Sequence, residues 1–197
     1  MTKTRRASDV LPGSKRARTR EKLLDVAAEL FQARGVAAVS LDEVAAHAGL
    51  TKGAIYGNFT SKDDLVFAVT AERTSKAIPV FDGEAALPDQ LRALVSNHFS
   101  RPQKKARMHF AFLAELDLYA LSREPLAKRF VEFARECHEK SAANVARVSK
   151  KRSLALKPLE LSVVLTGTLN GLLFQHACFP DIVTEEVVLK VLDTLVD

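Results

Sequence analysis

Apolar positions along the chain recur at intervals of three and four almost throughout, which is the period of amphipathic helices, and no alternating stretch is long enough to announce a sheet. Leu23, Ala27, Leu30 and Phe31 share one face of a first helix expected from about residue 18 to 33, with Gly35 after its end. Ser40 is followed three residues later by Glu43, the capping-box spacing, and Leu41, Val44, Ala45 and Ala48 then keep helical intervals until Gly49. Thr51 can cap a further short helix whose buried side carries Ile55 and Phe59, leaving Thr51, Lys52, Tyr56 and Asn58 outward. Two helices of this size across a glycine-containing turn have the dimensions of a helix-turn-helix.

The remainder of the chain reads as longer helices. One begins near Ser61, with Lys62, Asp63 and Asp64 in its first turn, and continues to about Ile78. Pro79 and Asp82-Gly83 mark a boundary. Beyond it, helices are expected at about 88–99, 103–121, 125–150, 158–178 and 184–196, each bounded by a proline at 88, 102, 125, 158 or 180. The fold class is therefore all-α, with about nine helices, divided as residues 1–17, a basic disordered arm; 18–62, the helix-turn-helix unit; 63–80, a connecting helix; and 81–197, a second helical domain. Eight of the eleven phenylalanines lie past residue 80, so a wide aromatic interior is expected there.

Charge sharpens this division. Of a net charge of +5, a local +6 sits in residues 1–20, where seven basic residues face Asp9 alone, so the other 177 residues come out at −1. A basic arm feeding a helix-turn-helix is suited to loose contact with DNA phosphates. Within the second short helix, Gly53 and Gly57 each cost about 1 kcal/mol relative to alanine, and they leave room for the close approach of another backbone. A DNA contact would use that room, and the alternative is a tight helix crossing or a loosely helical turn.

The run from Thr19 to Phe67 resembles the DNA-binding domain of the TetR family of bacterial transcriptional regulators. The resemblance rests on 23–31 with Gly35, on 39–49, and on Lys52-Gly53-Ala54-Ile55-Tyr56-Gly57-Asn58-Phe59-Thr60-Ser61-Lys62 with Asp63, Asp64 and Leu65, together about a quarter of the chain. Gly57-Asn58 departs from the family, which usually has a bulky aromatic and then a histidine there. The resemblance implies double-stranded DNA as partner, a homodimer, a small-molecule effector, and action in the bacterial cytoplasm. On the residues themselves, Thr51, Lys52 and Ala54 would face base edges, Gly53 would leave room for phosphates or base edges, and Ser40, Tyr56 and Lys62 would hold phosphates; the resemblance adds a phosphate contact near Asn58. The function expected is a sequence-specific DNA-binding regulator, a repressor released from a pseudo-palindromic operator by a small apolar or amphipathic ligand. The alternative is a helical ligand-binding or interaction protein that retains the module without sequence-specific use.

The second domain offers two further candidate surfaces. Met108, His109, Phe112, Glu115 and Leu116 on one helix, with Phe130, Phe133, Asn170 and Phe174 opposite, have the composition of a mostly apolar ligand pocket, and equally of plain core. The last two helices are apolar on more than one face. Leu161, Val164, Leu165, Gly167, Thr168, Gly171 and Leu172 with Val188, Val191, Leu192 and Leu195 could pack within the chain or on a second copy, the glycines allowing close helix approach, and the resemblance implies the second, a dimer interface through the last two helices.

Other chemistries find little support. The five histidines stand singly, and Cys137 and Cys178 have no paired-ligand spacing, so no metal, cofactor or disulfide framework is expected; both cysteines read as buried and reduced. No phosphate-binding glycine loop or nucleophile elbow occurs, which argues against an enzyme. The N-terminus lacks the apolar run of a signal peptide. The long apolar segment 159–179 is interrupted by Glu160, Asn170, Gln175 and His176, and is expected to pack in protein and not in lipid.

Overall fold

The computed structural model describes residues 14–78, 85–100, 102–148 and 156–196. Among these the chain forms nine helices and no strand: α1 (Lys15–Arg34), α2 (Leu41–His47), α3 (Lys52–Tyr56), α4 (Lys62–Ala77), α5 (Leu87–Phe99), α6 (Gln103–Leu121), α7 (Glu124–Val148), α8 (Pro158–Cys178) and α9 (Glu185–Val196). Helix α1 starts three residues before the expected position because Ser14 caps it, its hydroxyl accepting from the Ala17 N–H at 3.1 Å. The expected arm is thereby shortened, and residues 1–13 of it lie outside the described residues.

Two apolar cores hold the helices. The first gathers Leu23, Ala27 and Phe31 of α1, Val44 and Ala45 of α2, Ile55 of α3, Phe59, and Leu65, Val66 and Val69 of α4. Phe112 and Leu116 of α6 complete it, so the head is closed from above by a helix of the second domain. These two were expected in a ligand pocket. They are instead buried in the head, because α6 crosses α1 and α4 with this face downward.

The second core is aliphatic: Leu91 and Val95 of α5, Val145 of α7, Leu161, Leu165, Leu169 and Leu173 of α8, and Val188, Leu192 and Val196 of α9. Of the described phenylalanines beyond residue 80, Phe110 alone lies buried in it, while Phe174 and Phe179 are exposed, which corrects the expected aromatic interior. Helix α7 packs along α8, and α5 along α9. Cys178 is exposed and Cys137 half-buried, against the expectation that both are buried. Among the described residues no helix is long and apolar enough to cross a membrane.

Ties between the cores are polar as well as apolar. The Glu115 carboxylate accepts from the Val36 N–H at 2.5 Å, just past the end of α1. Asp63 and Asp64, which suit the positive end of α4, accept from the Tyr119 hydroxyl at 2.8 Å and from Arg129 Nη2 at 3.2 Å. Arg129 also lies over the Phe67 ring at 4.1 Å, and Phe67 meets Phe133 edge-on at 6.0 Å.

Candidate nucleic-acid interface

The helix-turn-helix is built from local capping. The Ser40 backbone N–H and hydroxyl both donate to Glu43 Oε2, at 2.8 and 2.9 Å, and the Glu43 N–H donates back to Ser40 Oγ at 3.2 Å. These bonds, with the Arg34 guanidinium at 3.0 Å, hold the Glu43 carboxyl down at about 2. Gly49 closes α2 at φ +63°, a left-handed conformation that glycine adopts without strain. Thr51 then caps α3, its hydroxyl accepting from the Ala54 N–H at 3.2 Å.

Helix α3 buries Ile55 and turns its other side to solvent. Thr51, Lys52, Gly53 and Tyr56 are exposed, Tyr56 at 54 %, and Ala54 is half-buried. A methyl group built on Gly53 would meet nothing nearer than Thr51 Oγ1 at 3.8 Å, so no helix crossing explains that glycine. At Gly57 the same methyl would come within 3.0 Å of the Gly53 carbonyl, so this second glycine answers to the tight end of α3 itself.

Lys52 on α3 and Lys62 at the start of α4 are both engaged. Lys52 Nζ lies 2.6 Å from Asp42 Oδ2 of α2, which raises the lysine pKa and, with a smaller contribution from the Tyr56 hydroxyl, lowers that of the carboxyl. Lys62 Nζ donates to the Ala37 carbonyl at 2.9 Å, and burial, then the neighbouring Arg123, lowers its pKa. Asn58 is turned back onto α3, its Nδ2 donating to the Ala54 carbonyl at 2.8 Å. The outward phosphate contact expected at Asn58 is therefore replaced in this structure by a cap on α3.

Two residues that sequence reasoning did not single out complete the site. Arg16 Nη2 donates to the Gly57 carbonyl at 3.2 Å, and Arg20 Nη1 to the Asn58 carbonyl at 3.3 Å while its guanidinium lies 4.5 Å over the Phe59 ring. Both bring positive charge to the C-terminal, negative end of α3. The basic run before residue 20 was the available signal, but its target lies 41 and 38 positions away.

The second candidate surface is less assembled. A cleft of about 770 Å³ opens between the end of α1, the end of α5 and the start of α6, lined among others by Gln32, His98, Lys104, Lys105, Met108 and His109. Of the residues expected in a pocket, Met108 and His109 line it; Glu115 is tied to Val36, Phe133 packs on Phe67, Phe130 and Asn170 are half-buried elsewhere, and Phe174 is exposed.

Of the expected dimer residues, Leu161 (0 %), Leu165 (2 %), Val188 (0 %) and Leu192 (1 %) are inside the chain's own core and have no surface to offer a partner. Val164, Gly167 and Gly171 are exposed on the opposite side of α8, with Val163 and Phe174, while Thr168, Leu172, Val191 and Leu195 are half-buried. Nothing lies within 4 Å of a methyl built on either glycine.

The family model for bacterial regulatory proteins of the tetR family matches residues 23–69. The HTH-type transcriptional regulator SrpR of Pseudomonas putida is 27% identical over 161 residues, covering 80% of this chain and 74% of SrpR. The HTH-type transcriptional repressor BepR of Brucella suis biovar 1 (strain 1330) is 32% identical over 104 residues, 53% of this chain and 44% of BepR. Among solved structures, the multidrug binding protein EbrR complexed with malachite green superposes with a TM-score of 0.61 at 25% identity, covering 90% of this chain and 98% of that one.

Proposed function

Because this chain belongs to the TetR family of bacterial transcriptional regulators, we propose that it works as a homodimeric repressor whose two α3 helices enter successive major grooves of a pseudo-palindromic operator. The observation that carries the reading is the outward edge of α3. Thr51, Lys52, Gly53 and Tyr56 project from a helix otherwise fixed by capping and by the head core, and the space over Gly53 is open. Lysine can donate to guanine acceptors, threonine and Ala54 can touch a thymine methyl, and Tyr56 and Ser40 can serve phosphates. In the complex Lys62 supports the loop after α1 through Ala37, with its charge added to the local field.

The outer strip of α8, with Val163, Val164, Gly167, Gly171 and Phe174, is the surface on which a second copy would pack, because its glycines admit a helix at close range. Release by a small apolar or amphipathic molecule acting on the second domain follows the description of EbrR as a multidrug binding protein. A ligand that favours a different spacing of the two heads from the 34–36 Å that DNA requires would lower operator affinity by population shift. The site of action is the cytoplasm, where the DNA is.

Selection from genomic fragments tests the proposal. Enrichment of a short pseudo-palindrome is expected, with Lys52→Ala relaxing sequence preference and Tyr56→Phe weakening all sequences alike. Uniform weak retention of fragments would instead identify a helical binding protein that keeps the module without reading sequence.

A further inference from the structure

The most exposed cation on the reading edge is already occupied. Lys52 is 75 % exposed in its side chain, yet its Nζ sits 2.6 Å from a carboxylate oxygen of Asp42 on the neighbouring helix. Asp42 has no part in capping α2, since Glu43 takes both the N–H and the hydroxyl of Ser40. The Tyr56 hydroxyl contributes to the same carboxylate's environment, so one acid faces two of the groups proposed to meet DNA.

We propose that Asp42 is a specificity-determining residue of the DNA-reading surface: its carboxylate takes the place of a nucleic-acid acceptor on Lys52 and yields the lysine only where a base edge supplies a replacement. The inference rests on the function proposed above. Binding to arbitrary sequence comes from cations that neutralise phosphates and release counterions. A lysine already neutralised by a carboxylate contributes little of that attraction, so the acid acts on binding through the lysine it holds. On a matching site the guanine O6 and N7 atoms replace the carboxylate, and because an exposed ion pair is weak the exchange costs little. Wrong sequences lose the lysine's contribution and the right one keeps it.

A double-mutant cycle on the full chain tests this, using wild type, Asp42→Asn, Lys52→Ala and the pair together. The probe is a labelled mixed-sequence duplex read by fluorescence anisotropy, with circular dichroism checking that each chain is folded. Asp42→Asn should tighten binding to that duplex roughly three- to tenfold and steepen the slope of log affinity on log salt by about 0.9 between about 50 and 200 mM. In the Lys52→Ala background the same change should have less than about a twofold effect. Against a duplex recovered by genomic selection, Asp42→Asn should gain less, so that the specificity ratio falls. Equal tightening with and without Lys52 would reduce Asp42 to a general repulsive charge and overturn the inference, as would no tightening at all while the wild type binds. Failure of all four folded chains to hold any duplex would overturn the proposed function and this inference with it.

Discussion

The bond from Val36 to Glu115 allows a prediction with a worked magnitude. Val36 is fully buried, and its N–H donates at 2.5 Å to a carboxylate that α6 projects onto the end of α1. Truncation by Glu115→Ala leaves that donor without an acceptor beside a side chain that excludes water, which costs about 1–3 kcal/mol. For a chain of this length that corresponds to a fall in melting temperature of roughly 2–12 °C. Glu115→Gln keeps an acceptor oxygen and should fall between. The neighbouring Gly35 sharpens the test. It lies at φ 83°, ψ 150°, a region reserved for glycine, and a methyl on it would sit 3.1 Å from Glu115 Oε1. Gly35→Ala should therefore cost about 1–3 kcal/mol from backbone strain and more from displacing the carboxylate. The displacement vanishes when the carboxylate is absent, so the double variant should be less destabilised than the sum of the two singles by about 0.5 kcal/mol or more. Urea melts followed by far-ultraviolet circular dichroism give the energies, and amide exchange at Val36 reports the bond. A Glu115→Ala chain within about 0.5 kcal/mol of wild type, with unchanged exchange at Val36, would refute the reasoning.

Two further outcomes are expected. Gly171→Glu, on the open strip of α8, should convert a dimer to a monomer in sedimentation velocity without lowering helicity, since replacing an exposed helical glycine favours the helix by up to about 1 kcal/mol; a persisting dimer would place the interface elsewhere. The Glu43 carboxyl, held at about 2 in the fold, has a lower pKa than in the unfolded chain, so its stabilisation is complete above its unfolded value and is lost as pH falls through the folded one. The gap in stability between wild type and Glu43→Gln should thus be full above about pH 5 and close toward pH 2; a gap independent of pH across that window would mean that ionised Glu43 does not close the capping box.

How much of this was legible in the sequence depended on distance along the chain. The helix-turn-helix could be read because its signals are local: Ser40 and Glu43 are three residues apart, and Gly49 and Thr51 punctuate the turn. Helices α6 and α8 could be bounded to the residue because prolines stand at their starts. What could not be read was tertiary. Arg16 and Arg20 reach carbonyls about forty positions on, and α6 gives Phe112 and Leu116 to the head instead of to a pocket. Helix α8 misled for a different reason. A helix apolar on all sides does not say which side meets its own chain, although the signal was present: Leu161, Leu165, Leu169 and Leu173 recur every fourth residue and face inward, while Gly167 and Gly171 stand on the other side. The four-residue leucine row marks the side that α8 gives to its own core, and the two glycines mark the side it leaves outside.

The way α6 closes the head bears on how reading heads of this type can be exchanged. A chimera cut after α4 would carry Leu23, Phe31, Ile55 and Phe59 but leave the socket of Phe112 and Leu116 to whatever helix the recipient supplies. Recombination at the apparent boundary would graft one protein's floor onto another's ceiling, whereas point changes along the outer edge of α3, the proposed reading edge, leave that joint untouched.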